Sequence, residues 1–182
     1  MTVVRRSMMF TPANVRRFVE GVWKHSPDMV VLDLEDSVAP VAKQTARAMV
    51  QDAITLATRG GAEVAVRVNS DTIADDCDAA IWPGLSAVVL PKAETQEQIT
   101  TLDALLTRLE TERGLPSMSV EIMPMIESAV EVQNAYDIAS ASGRIKSFGV
   151  LGEADLTAHL GASFDALQTH DVLAYPRGEV GL

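Results

Sequence analysis

MVVLDLED at residues 29–36, KQTARAMVQDAITLATRG at 43–60 and EVAVRVN at 63–69 read together as strand, helix, strand. MVVL and VAV are compact apolar runs, as expected of strands covered on both faces. Between them the apolar residues recur at helical spacing, and Gly60 with Gly61 supplies a stop. Strands joined by a helical crossover run parallel, so this unit predicts an α/β protein.

The alternation continues on either side. VVRRSMMF (3–10) predicts the first strand, followed by a helix from Pro12 and Asn14 through Trp23. SAVVLPK (86–92), SVEIMPMIE (119–127) and KSFGVLG (146–152) predict strands four to six. Helices are expected over TIADDCDAAIW (72–82), ETQEQITTLDALLTRLETER (94–113) and SAVEVQNAYDIASAS (128–142). A short helix is expected near ADLTAHL (154–160), and beyond Phe164 the pattern assigns nothing firm. The class expected is a TIM-type (β/α)8 barrel with about six strand–helix units, the alternative being an open doubly wound parallel sheet. Eight units ordinarily take about 250 residues, so residues 1–182 are expected to form a single, incomplete barrel domain.

Composition narrows the function classes. Fifteen Lys and Arg against 25 Asp and Glu give a net charge of −10, which disfavours nucleic acid or an anionic membrane as partner. No apolar run is long enough to span a bilayer. A lone cysteine, Cys77, forms no intrachain disulfide and no thiolate cluster, so a cytoplasmic setting is the simplest expectation. Its acidic surroundings raise a thiol pKa and argue against a nucleophile. GxGxxG, GxxxxGK[ST] and GxSxG are absent, and His25, His159 and His170 make no HExxH pattern. Trp23 and Trp82 read as core or interface anchors.

In a parallel α/β array the C-terminal strand ends surround one pocket. Those ends carry DLED (33–36), RVN (67–69), LPKAE (90–94), PMIE (124–127) and GEADL (152–156). Glu127 and Asp155 are a candidate pair of hard oxygen ligands for a divalent cation, magnesium by its chemistry; helix capping or solvation is the competing role. Asp33, Glu35 and Asp36 crowd three carboxylates, which suggests water-mediated support of a metal, positioning of a basic residue or a carboxyl pKa raised by repulsion, against simple helix capping. Arg67 suits a carboxylate or a developing enolate, or else a structural bridge to DLED. Lys92 offers a cation to an anionic ligand, a Schiff-base amine, or a structural cation. Arg5, Arg6, Arg16 and Arg17 are candidates for a carboxylate or a cofactor phosphate, with solvated surface roles as the alternative.

RRSMMFTPAN, VVLDLEDSV, VRVN, AVVLPKAE, IMPMIES and GEADLTAHLG, in that order over about Arg5 to Asp165, resemble the citrate lyase beta-subunit-like branch of the HpcH/HpaI aldolase superfamily. The resemblance implies a (β/α)8 barrel acting on coenzyme A thioesters with Mg2+. It implies metal ligation by Glu127 and Asp155, with Glu35 and Asp36 in the adjoining polar network. Arg67 would hold or polarise the reacting keto-acid or thioester portion, and Arg6 and Lys92 would contact the ligand. Citryl-CoA, malyl-CoA and methylmalyl-CoA fit as substrates, cleaved or formed at a carbon–carbon bond. A free 2-keto acid aldolase and a noncatalytic subunit or scaffold are the alternatives. A homo-oligomer and a citrate lyase-like complex are the partners implied. GEADL departs from the GAEDL form common in that branch, keeping Asp155 but moving the neighbouring acid to Glu153. The resemblance leaves the last two barrel units outside the chain.

Overall fold

The computed structural model describes residues 5–163 and 172–180, which divide into two compact units. The first comprises 1–89 and 105–121, the second 90–104 and 122–182. The strands are β1 (Met8–Pro12), β2 (Met29–Asp33), β3 (Glu63–Arg67), β4 (Ala87–Leu90), β5 (Glu121–Ile126) and β6 (Val150–Leu151). The α-helices are α1 (Arg16–Val19), α2 (Lys43–Ala57), α3 (Ile73–Ala80), α4 (Gln96–Glu112), α5 (Ala129–Gln133), α6 (Ala135–Ser140), α7 (Glu153–His159) and α8 (Ala174–Val180).

In the first unit β1, β2, β3 and β4 lie side by side in chain order, every pair parallel. No strand order reverses there, which is the pattern of a barrel rather than of a doubly wound sheet with its switch point. Every residue of β2 and β4 is buried, as is Val64 to Arg67 of β3. Burial on both faces explains why these strands are apolar runs without alternation. In the second unit β5 and β6 pair parallel, Met125 opposite Val150 and Ile126 opposite Leu151.

Four expected boundaries shift. β1 starts at Met8 and keeps Pro12 as its last residue, instead of giving Pro12 to a helix; Val3 and Val4 of the expected strand lie outside the described residues. The helix expected through Trp23 breaks into α1 and a 3-10 turn at Val22–His25, because Gly21 interrupts it and Ser26 turns left-handed at φ 48°. The helix expected over 128–142 divides at Asn134, where φ −93° and ψ 5° depart from the helical values and the side-chain amide donates to Glu94 O at 2.8 Å. β6 shortens to two residues between Gly149 and Gly152. The glycine stop after α2 holds: a 3-10 turn at Thr58–Gly60 ends on Gly61 at φ 79°. His170 lies outside the described residues.

At the N-terminal strand ends of the first unit, Arg5 binds Glu63 through Nε and Nη2 (2.7 and 2.9 Å) and Glu121 through Nη1 (2.7 Å). Arg6 is highly exposed and pairs with Asp28, just before β2, at 3.0 Å. Among the described residues no helix is long and apolar enough to cross a membrane.

Candidate functional site

Asp33 and Arg67 are the last residues of β2 and β3 and are direct partners in the sheet register. Their side chains therefore leave the same face, and Arg67 grips Asp33 with a two-pronged contact, Nε to Oδ1 at 2.8 Å and Nη2 to Oδ2 at 2.7 Å. Asp33 is 1 % exposed. It also accepts the N–H of Glu35 (2.8 Å), the N–H of Ser37 (3.0 Å) and the Ser37 hydroxyl (2.5 Å), so one carboxylate shapes the whole DLEDS turn. The Arg67 Nη1 lies 3.1 Å from Glu35 Oε2 and 3.4 Å from Asp36 Oδ2. The Phe10 ring covers the guanidinium, 5.2 Å from its centroid to Cζ.

Charge follows from this geometry. Burial opposes ionisation of Asp33, but the hydrogen bonds from Arg67 and Ser37 outweigh it and hold the carboxyl below its ordinary value. Of the roles open to this cluster, a carboxyl raised by like-charge repulsion does not hold for Asp33; the three acids instead position a basic residue, Arg67. Burial likewise works against the Arg67 charge, and Asp33 more than restores it.

A second network holds the adjoining backbone. Lys43 Nζ donates to Leu34 O (2.7 Å), Glu35 O (2.5 Å) and Asn69 Oδ1 (2.7 Å). Asn69 passes its own amide to Leu34 O and to Asp76 Oδ2, and the fully buried Asp76 also accepts from Arg47 Nε at 2.5 Å. Lys43, Asp76 and Arg47 were not among the residues expected from sequence. They sit on helices away from the strand-end motifs, and only their partners' positions reveal them. Cys77, beside Asp76, is fully buried, and burial pushes its thiol up to about 12, so it carries almost no thiolate near neutral pH.

In the second unit Glu127 follows β5 directly and is 8 % exposed. Gly152 lies against its side chain: a Cβ added there would fall 2.7 Å from Glu127 Cγ and 3.0 Å from Oε1. Gly152 opens α7, and its N–H donates to Ile126 O at 2.8 Å. Asp155, exposed, stands in the first turn of that helix. The Glu127 carboxylate thus abuts the start of the helix that carries Asp155. Both acids are hard oxygen donors, the ligand type a hard divalent cation takes alongside water and substrate oxygens. Among the described residues no group of three or more acidic, His or Cys side chains converges as a closed metal cage.

Lys92 meets Glu127 through its backbone: its N–H donates to Oε2 at 3.3 Å, and its φ of 54° is left-handed. Lys92→Gly is therefore expected to keep that hydrogen bond and to relieve the backbone. A lower affinity for an anionic ligand in this variant would assign the ammonium a binding role, read by calorimetric titration.

The structure does not bring Arg6 to this end of the strands. It sits at the N-terminal end of β1 and β2, held by Asp28, which removes it from the candidate ligand contacts. Glu153 pairs with Arg177 at 2.7 Å, which keeps its carboxyl below the ordinary range and gives it a structural partner on α8. Glu131 was also missed; its Ser128-x-x-Glu131 spacing is a capping-box signature readable in the sequence.

The sequence profile of the HpcH/HpaI aldolase/citrate lyase family matches residues 6–177. The chain is 36% identical over 153 residues to citrate lyase subunit beta of Leuconostoc mesenteroides subsp. cremoris, covering 82% of this chain and 51% of that protein. It is 33% identical over 162 residues to an L-malyl-CoA/beta-methylmalyl-CoA lyase of Cereibacter sphaeroides, covering 86% of this chain and 50% of that protein. Its fold matches the citrate lyase beta subunit of M. tuberculosis, solved with oxaloacetate and magnesium, at a TM-score of 0.64 and 25% identity over 95% of this chain and 70% of that one. The TIM-type α/β class holds. The chain spans about half the length of the curated relatives it matches.

Proposed function

Because the chain belongs to the HpcH/HpaI aldolase/citrate lyase family, we propose that it is a magnesium-dependent carbon–carbon lyase of 3-hydroxy-acyl-CoA thioesters such as citryl-CoA or malyl-CoA. The observation that carries this reading is the Glu127 carboxylate packed on Gly152 at the start of the helix bearing Asp155. Relatives named for citrate lyase and for malyl-CoA lyase support the substrate class, and the magnesium and oxaloacetate in a solved relative support the ion and the keto-acid product.

Glu127 and Asp155 would hold the ion, which when bound supplies Lewis-acid polarisation of the keto-acid oxygens. The residues of the chain do the rest. Arg67, pinned on one edge by Asp33, keeps a fixed orientation; its Nη1 lies 3.1 Å from the buried Glu35 and 3.4 Å from the exposed Asp36, and the longer, exposed contact is the one that would yield to a substrate oxygen. From there its charge stabilises the thioester enolate as the carbon–carbon bond opens. Loss of the substrate hydroxyl proton drives that scission, and protonation of the enolate gives the acetyl-type product; the reverse order makes the bond. Glu35 and Asp36 tune the Arg67 donors.

Residues 1–182 as one incomplete barrel domain, a cytoplasmic setting, a homo-oligomer and a place in a citrate lyase-like complex belong to the same proposal. The test is cleavage of citryl-CoA and malyl-CoA with Mg2+, the keto acid trapped as its phenylhydrazone. Turnover abolished by EDTA and by Glu127→Gln is expected. Cleavage of free 2-hydroxy-4-keto acids but of neither thioester would replace this reading with a free keto-acid aldolase, and binding without turnover of either class would replace it with a scaffold.

A further inference from the structure

We propose that Glu131 is a positioning residue for Glu127, acting by fixing the backbone from which that acid projects. The inference rests on the reading of Glu127 as a metal ligand. Glu131 is 1 % exposed, a deep site for a carboxylate on the first turn of a helix. An ordinary capping box uses the N3 acid to accept one N–H, that of the cap residue. Here the same oxygen, Oε2, accepts the N–H of Ser128 at 3.0 Å and also that of Glu127. The Ser128 hydroxyl accepts the Glu131 N–H at 3.3 Å, which fixes the acid's own backbone in return.

Glu127 is thus constrained at both ends. Its carboxylate meets the Lys92 N–H and Gly152, and its main chain hangs from Glu131. Without the Glu131 carboxylate two adjacent N–H groups lose their acceptor, the peptide plane before Glu127 is released, and the carboxylate drifts from the place where it can share an ion with Asp155. Outer partners of metal ligands typically govern affinity in this way.

Capping alone and positioning make different predictions, because Ser128 shares the cap but not the bond to Glu127. Mn2+ affinity by calorimetry and metal-free thermal unfolding are to be measured for the wild-type chain and for Ser128→Ala, Glu131→Ala, Glu131→Gln and Glu131→Asp. Both alanine variants should lower the metal-free melting temperature. Glu131→Ala should also weaken Mn2+ about tenfold or more, while Ser128→Ala leaves affinity unchanged. Glu131→Gln, whose amide oxygen accepts the same N–H groups, should recover most of the affinity; Glu131→Asp, one methylene short, should not. Equal affinity in Ser128→Ala and Glu131→Ala overturns the proposal, and if Glu131→Ala does not fold, an Asp variant that binds as tightly as the Gln variant does so instead. Wild-type chain that binds no Mn2+, or binding that survives Glu127→Gln, refutes the metal reading itself and the present inference with it.

Discussion

Arg67→Met will destabilise the first unit by about 3–5 kcal/mol at neutral pH, the usual consequence of stripping one partner from a buried ion pair. Asp33 is 1 % exposed and two of its contacts come from this guanidinium. Without it a carboxylate stays buried with only Glu35 and Ser37 as donors. That loss is comparable with the whole stability of a marginal domain, so an inactive Arg67→Met protein alone says nothing about catalysis. Urea unfolding measures the cost, and adding Asp33→Asn should return a large part of it, since the two changes share one interaction. The pH dependence has a definite sign. Asp33 is held below the ordinary 3.8 in the folded chain, so near and below 3.8 the unfolded chain binds more protons. Its contribution is complete above that value and fades as pH falls through the lower folded value. Asp33→Asn should therefore flatten the acid limb of the stability profile. Asp36→Asn separates chemistry from folding: Asp36 is largely exposed and 3.4 Å from Nη1, so stability should barely change while substrate KM shifts.

The strand and helix order was readable in the sequence because parallel strands buried on both faces announce themselves as short apolar runs, and MVVLD and AVVL occupy β2 and β4 as expected. Some boundaries were not legible. The break at Asn134 keeps the helical bonds on either side of it while its side-chain amide reaches Glu94 O, and no periodicity encodes that partner. The strand-end acids and Arg67 were legible for the same reason as the strands, since a polar residue closing an apolar run has one place to go. Which acid engages Arg67 was not legible. DLED offers three and all three approach Arg67, but the two-pronged grip falls to Asp33 because of the β2–β3 register, in which residue 33 faces residue 67. Lys43 and Asp76 were invisible because their function lies in distant partners, and Glu131 because a capping box reads as a helix start whether or not its acid reaches one residue further.

Gly152→Ala will abolish measurable Mg2+ binding while leaving the metal-free chain folded. The backbone at Gly152 has φ −74° and ψ 72°, on the side of the map open to alanine, so no conformational penalty attaches to the change. Reduced freedom of the unfolded chain even favours it by about 0.4–1 kcal/mol. Space decides the outcome. The new methyl would sit 2.7 Å from Glu127 Cγ and 3.0 Å from Oε1, closer than carbon and oxygen atoms tolerate. The strand end cannot retreat, because the Gly152 N–H is bonded to Ile126 O and β5 is buried behind it. The Glu127 side chain must therefore swing to another rotamer, which takes its carboxylate away from the first turn of α7 and from Asp155. Overpacking of this kind costs about 1–3 kcal/mol, partly offset by the entropic gain, so thermal unfolding without metal should shift by a few degrees at most. Calorimetric titration with Mg2+ reads the other half. Wild-type affinity in Gly152→Ala would mean that Glu127 binds no ion in the orientation it holds against Gly152, and the two-acid metal site would have to be abandoned.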